Sequence, residues 1–332
     1  MSGIRLATIQ HGLESVAGTL VAATFKYPGT GTLVFEDKVE RPGYLTAEAG
    51  ENTIEDSFVS QTGTTLNLND APCSVELLAY MLNIGVKSVP GPASSFAFAF
   101  PTTAVNAIGS MTFEYATAAQ EYEAGYGFLE KFSISGDGGA NNGVVQFNGV
   151  VRARKSAAST KTASLGVYAN HQPLVINATT KFSIDAVGTA AGTAAHLSGT
   201  LRGFSLDCET GWKPGHYADA RADKDFSLPE GGGNNWKITG NLKILLNATA
   251  ITEIANARAG TGRIVYIALA GTASRVCAIA LPLTFTAAPT IGDTVENDLI
   301  LCSFPYAAGY SRTASAQGAS ITLTTSASLT IT

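Results

Sequence analysis

The chain has 332 residues and carries 21 Lys plus Arg against 26 Asp plus Glu, a formal net charge of −5; only 14% of its residues are charged, 45% are hydrophobic, and Gly numbers 35. The lack of a basic surplus excludes a nucleic-acid binder that works by neutralising phosphates. Low charge with this much apolar content also excludes a long solvated disordered tail, and the Thr, Ser and Ala that fill the composition suit strands whose outer faces touch other protein.

In chain order, the opening Met1-Ser-Gly-Ile-Arg-Leu has no apolar core of a signal peptide, so a soluble protein made in a cytoplasm is expected. A polar excursion runs from about Phe35 to Ser57, and Thr65-Leu-Asn-Leu-Asn69 then alternates with period two, the pattern of a half-buried strand. Val75, Leu77, Leu78, Met81 and Leu82 mark a helix over about Pro72 to Asn83, with Asp70 as its expected cap and Asn83 and Gly85 as its stop. Pro90, Pro92 and Pro101 punctuate the next stretch.

Alternation returns at Ser95 to Phe100, Met111 to Tyr115, Lys131 to Ser135, Lys237 to Leu245 and Ser320 to Thr324. Gly136-Asp-Gly-Gly-Ala-Asn-Asn-Gly143 and Gly231-Gly-Gly-Asn-Asn235 read as turns, since Gly and Asn supply positive φ. A second helix is expected over about Ala248 to Ala259, capped by Asn247, with Ile251, Ile254 and Ala255 on one face and Arg258 in the last turn, where the helix dipole favours a cation. The apolar run Val276 to Phe285 is cut by Pro282 and is too short to span a membrane.

The two helical segments share their surroundings. Thr62-Gly63 precedes the first and Thr239-Gly240 the second, an offset of 177 that also maps Asp70 onto Asn247, Glu76 onto Glu253 and Gly85 onto Gly262. Downstream, Gly109 to Tyr115 resembles Gly262 to Ala268, and upstream Arg41-Pro-Gly-Tyr44 echoes Lys213-Pro-Gly-His-Tyr217. An internal duplication follows, with units 1–160 and 161–332 and a joint at Ala157-Ala-Ser-Thr160.

Catalytic constellations do not emerge. His11, His171, His196 and His216 are isolated and read as surface or turn residues, and Cys73, Cys208, Cys277 and Cys302 show no metal spacing and read as small buried hydrophobes. Gly136-Asp-Gly-Gly joins two strands, so a phosphate would find no helix N-terminus there. Acidic residues gather at Glu36-Asp37, Glu48 to Asp56 and Glu121 to Glu123, but a sugar-cleaving cleft also needs stacking aromatics, and Trp212 and Trp236 are the only tryptophans. No catalytic residue, cofactor or metal is assigned.

Gly18-Thr-Leu-Val-Ala-Ala-Thr24, Phe128 to Ser135, Gly143 to Arg154, Leu197 to Leu206, Gly211-Trp-Lys-Pro214, Trp236 to Leu242 and Gly262 to Ala270 follow one another in an order that resembles the major tail tube proteins of long-tailed, non-contractile bacteriophages, in their tandem-domain form. The resemblance implies a mainly β fold of two tandem tail-tube-type β-sandwich or barrel units, each with one flanking helix. It further implies a non-enzymatic virion protein that stacks in rings, trimeric and pseudo-hexameric or hexameric, around a lumen that genomic DNA crosses without specific binding. Implied partners are copies of itself, a tape measure protein in the lumen, a tail terminator and the tail tip, with no membrane. The excursions 35–57 and 211–226 resemble the family loop that reaches the adjacent ring, which makes Tyr44, Glu48, Trp212, Pro214, Tyr217 and Asp223 the expected inter-subunit contacts. The alternatives are a carbohydrate-binding β-sandwich adhesin and a capsid-decoration or tail-terminator protein.

Overall fold

The computed structural model describes residues 7–40, 58–86, 88–90, 94–100, 108–168, 171–215, 225–227, 236–271, 275–292, 299–309 and 318–325. The fold is mainly β. Before the first helix come β1 (Thr8–Leu13), β2 (Phe25–Lys26), β3 (Thr30–Phe35), β4 (Lys38–Glu40), β5 (Phe58–Gln61) and β6 (Thr64–Pro72). Helix α1 (Val75–Asn83) leads to β7 (Ser88–Pro90), β8 (Ser95–Ala99), β9 (Met111–Ala116), the 17-residue β10 (Glu121–Asp137), β11 (Gln146–Ala153) and β12 (Ala157–Ala158). The second half holds β13 (Lys181–Ala186), β14 (Leu201–Glu209), β15 (Lys213–Gly215), β16 (Asp225–Ser227), β17 (Lys237–Leu245), α2 (Ala248–Arg258), β18 (Arg263–Ala270), β19 (Val276–Phe285), β20 (Thr290–Ile291), β21 (Leu301–Ala308) and β22 (Ser320–Thr324).

The pairings recur. β1 pairs with β9, β9 with β10, β10 with β11, β11 with β6 and β6 with β3, all antiparallel. In the second half β13 pairs with β18, β18 with β19, β19 with β21, β21 with β17 and β17 with β14, again all antiparallel. Even the ribbons correspond, since β4–β5 falls between β3 and β6, and β15–β16 between β14 and β17.

The registers revise the sequence alignment of the halves. Leu68 and Leu242 occupy the same place in their sheets, 174 apart. After a bulge at Asp70 the helix caps Ser74 and Asn247 are 173 apart. Asp70 is no cap: it sits at φ 52 with its backbone N–H donating to Asn148 Oδ1 at 2.9 Å. Ser74 Oγ takes the cap role by accepting from Leu77 N at 3.1 Å, and Asn247 Oδ1 accepts from Ala250 N at 3.0 Å as expected.

The halves are stitched together across residue 160. β10 pairs with β14 from Lys131↔Glu209 to Asp137↔Gly203, and β8 pairs with β22 from Ser95↔Thr324 to Ala99↔Ser320. One buried apolar cluster runs through both, from Ile9, Leu66 and Phe132 to Phe182, Leu242 and Phe304. The segment expected to be a joint is instead part of a sheet, Ala157 and Ala158 lying opposite Glu123 and Tyr122.

The two helices differ. Every residue of α1 is buried, and its Glu76 receives Arg275 Nε at 2.7 Å from the other half. Helix α2 buries only Ala250 and Glu253, the latter paired with Arg263 at 2.7 Å. Ile251 and Ala255, expected on its buried face, are exposed.

Candidate assembly surface

The pairings above make one antiparallel sheet of eight successive positions, in the order β3, β6, β11, the C-terminal part of β10, β14, β17, β21 and finally the end of β19 continued by β20. It consists of a four-strand pattern used twice. Among the described residues no ladder joins β3 to β20 and neither strand has a second partner, so within them the sheet has two open edges.

Alternation gives the sheet two unlike faces. Leu66, Phe132, Ile134, Leu206, Leu242 and Phe304 point into the core. The opposite face carries Thr32, Asn67, Ser133, Asn148, Asn241 and Ser303, none of them fully buried. Asn241 Nδ2 donates to Ser303 Oγ at 2.7 Å across β17 and β21.

Charges on this polar face are balanced within it. Arg152 donates to Glu130 at 2.6 Å and also contacts Glu36, and these two carboxylates hold its guanidinium charge firmly against the opposing effect of burial. Lys243 reaches Asp137 at 3.1 Å and Arg202 lies 3.7 Å from the same carboxylate. Partial burial opposes ionisation of Asp137, but the Gly139 N–H and Lys243 outweigh it and hold its pKa below the usual carboxylate value. Lys131 and Glu209 stand 3.5 Å apart across the β10–β14 junction, and burial raises the pKa of nearby Asp207. Surface pairs of this kind add little stability, but they leave a face of small hydroxyls and amides with little net charge.

A shallow depression of about 320 Å³ lies on this face among Asn67, Lys131, Asn148, Asp207 and Lys237. The one aromatic that lines it, Phe132, is buried beneath it. It offers no stacking platform for a sugar ring.

Both excursions start as two-stranded ribbons. Trp212 and Pro214 sit half-buried at the base of the second, with Pro214 opposite Phe226. Tyr44, Glu48, Tyr217 and Asp223 lie outside the described residues, so the structure brings together only Trp212 and Pro214 of the expected contacts. What the sequence reading missed is the pair of edges, β3 and β20. These short strands, Thr30–Phe35 and Thr290–Ile291, carry no strong period, and only the doubled pairing pattern reveals that they correspond to strands joined inside the chain.

Of the histidines in the described residues, His11 is buried, His171 half-buried and His196 exposed as expected. Expected at a surface or turn, His11 is instead fully buried, 2.5 Å from the Tyr168 hydroxyl, and desolvation lowers its pKa to about 3. His171 Nδ1 lies 3.0 Å from Ser74 Oγ, and His196 Nδ1 accepts from the Phe182 N–H at 3.0 Å. All four cysteines are buried and free. Among the described residues no group of three His, Cys, Asp or Glu side chains could hold a metal, and no helix is long and apolar enough to cross a membrane.

No protein-family model matches the chain, and no curated protein matches it either.

Proposed function

We propose that this chain is the structural subunit of a hollow tube, built as a tandem pair of tail-tube-like units whose copies join into rings and stack, as in a long-tailed phage virion. The observation that carries the reading is the eight-position sheet with two open edges. A sheet edge exposes unpaired N–H and C=O groups and invites another strand. Soluble monomers blunt such edges with charge, but Thr30-Gly-Thr-Leu-Val-Phe35 has none. Closing sheets edge to edge removes them altogether.

The polar face then becomes the lumen wall. Small uncharged side chains and internally paired charges give a passing DNA duplex no run of cations to grip, so the duplex slides. The interior partner before ejection is a tape measure protein, and the ends of the tube meet a terminator and a tip. The ribbons β4–β5 and β15–β16 lead to the segments that contact the adjacent ring. No enzymatic step is assigned.

The test is negative-stain microscopy of the purified full-length chain at rising concentration. Hollow tubes of uniform width support the reading; a compact monomer at every concentration contradicts it.

A further inference from the structure

We infer that the segment before β1, residues 1–6, is an arm that leaves its own copy and lies in a cleft on the second half of another, along Leu299 and Ile300. The inference rests on the tube reading above and names a docking site that lies away from the open sheet edges.

The chain already contains one contact of this kind. The segment that leads into β13 crosses the first half beside the cap of α1. There Val175 forms an antiparallel bridge with Val144, the Val145 N–H donates to the Leu174 carbonyl at 2.9 Å, and the Leu174 N–H donates to the Cys73 carbonyl at 2.7 Å. Cys73, Val145 and Leu174 are all fully buried.

The second half repeats the receiving side. Leu301 faces Leu245 as Gln146 faces Pro72, which makes Leu299, Ile300 and Leu246 the counterparts of Val144, Val145 and Cys73. A shared bond agrees: the Leu246 N–H donates to the Ile300 carbonyl at 2.9 Å, as the Cys73 N–H donates to the Val145 carbonyl at 2.8 Å. What differs is the cover. Leu299 is 43% and Ile300 42% exposed, whereas Val145 has no exposed surface. Beside Leu299 opens a cleft of about 330 Å³ walled by Phe182, Leu197, Leu201 and Leu245. Adjoining apolar side chains left in water next to an apolar cleft mark a place where further chain docks.

The registers also say which chain. Met111 lies opposite Gly127 and Arg263 opposite Leu283 at matching places, so Thr8 opposite Ala116 matches Lys181 opposite Ala268. Counting back equally from Lys181 and Thr8, Leu174 and Val175 correspond to Met1 and Ser2. Residues 1–6 lie outside the described residues; Met1, Ile4 and Leu6 are their apolar members. The arm would meet the cleft of its own copy only if the two halves closed on each other, and among the described residues β3 and β20 are not joined. The arm in the cleft therefore comes from a second copy, with Ser2 opposite Leu299.

The test uses full-length chains carrying Ser2→Cys, Leu299→Cys, both, or the shifted pair Arg5→Cys with Leu299→Cys, under mild oxidation. The native cysteines are buried. Arg5 lies about 10 Å further along an extended segment, beyond the reach of a disulfide, so the registered pair should link at least about tenfold faster. The two single variants mixed are expected to give dimers joined between positions 2 and 299, and neither alone gives any. Ile300→Glu added to the registered pair should leave the urea midpoint in place, since the side chain is exposed, and slow linking on the order of tenfold by setting a carboxylate against an apolar cover. Links confined to single copies of the double variant, with none between the mixed single variants, overturn the exchange. Links within a Ser2→Cys sample alone show arm meeting arm and also overturn it. Tubes in micrographs without registered links overturn the docking and leave the tube reading standing. No assembly and no links remove both.

Discussion

Leu78 and Ile251 occupy equivalent turns of two helices, each four residues past its cap, yet one is wholly buried and the other 61% exposed. The difference is what lies above them: α1 packs beneath β8 and β22, whereas α2 has no such cover among the described residues. Replacing Leu78 with Ala removes core volume and is expected to cost about 2–5 kcal/mol in urea unfolding. Ile251→Lys should change monomer stability by under about 0.5 kcal/mol and yet suppress assembly, as read by sedimentation of the same sample. Equal effects of the two on unfolding would contradict the picture.

The buried Glu76–Arg275 pair fastens the halves. Arg275 is 3% exposed and Glu76 fully buried, so a lone partner would be an uncompensated charge. Arg275→Met should destabilise by about 3–5 kcal/mol, and Glu76→Gln with Arg275→Met together by less than the sum of the single changes. A denaturant-based double-mutant cycle reads this coupling.

His11 gives a pH signature. Its folded pKa, lowered to about 3 by burial, lies below the ordinary value near 6.5. The unfolded chain therefore binds the extra proton between those limits, and stability falls as pH drops below 6.5, approaching about 1.4 kcal/mol per unit from this group down to pH 3. His11→Gln should lose that part of the slope, so the variant and the parent are compared by urea midpoints from pH 7 to 4. Identical slopes would refute the burial.

Cys73, Cys277 and Cys302 have no exposed surface and Cys208 only 2%, and burial raises each thiol pKa, that of Cys277 to about 12. Native protein should react negligibly with a thiol reagent at pH 8, and all four should react in denaturant. Rapid native labelling of any one would show that its surroundings open.

Much of the fold was legible in the sequence because period-two alternation directly reports a sheet with one buried face: Lys237 to Leu245 and Ser320 to Thr324 are strands with the bounds expected. The helices were legible too, but the cap of the first was not. Asp70 and Ser74 are both good capping residues, and the choice was made by a bulge, which leaves no mark on the apolar pattern. That bulge shifts the offset between the halves from 174 at Leu68 to 173 at the helix caps, whereas the sequence alignment holds it constant at 177. His11 was misplaced because polar residues such as Gln10 and His11 between Ile9 and Leu13 look like a strand's wet face until a partner such as Tyr168, 157 positions away, is known. The open edges were illegible for a related reason: whether a strand has one neighbour or two depends on other parts of the chain.

The most direct measurement is native mass spectrometry of the full-length chain as its concentration is raised. The account predicts closed particles whose chain number is a multiple of three. Monomers at every concentration, or a two-fold dimer that stops growing, would contradict it.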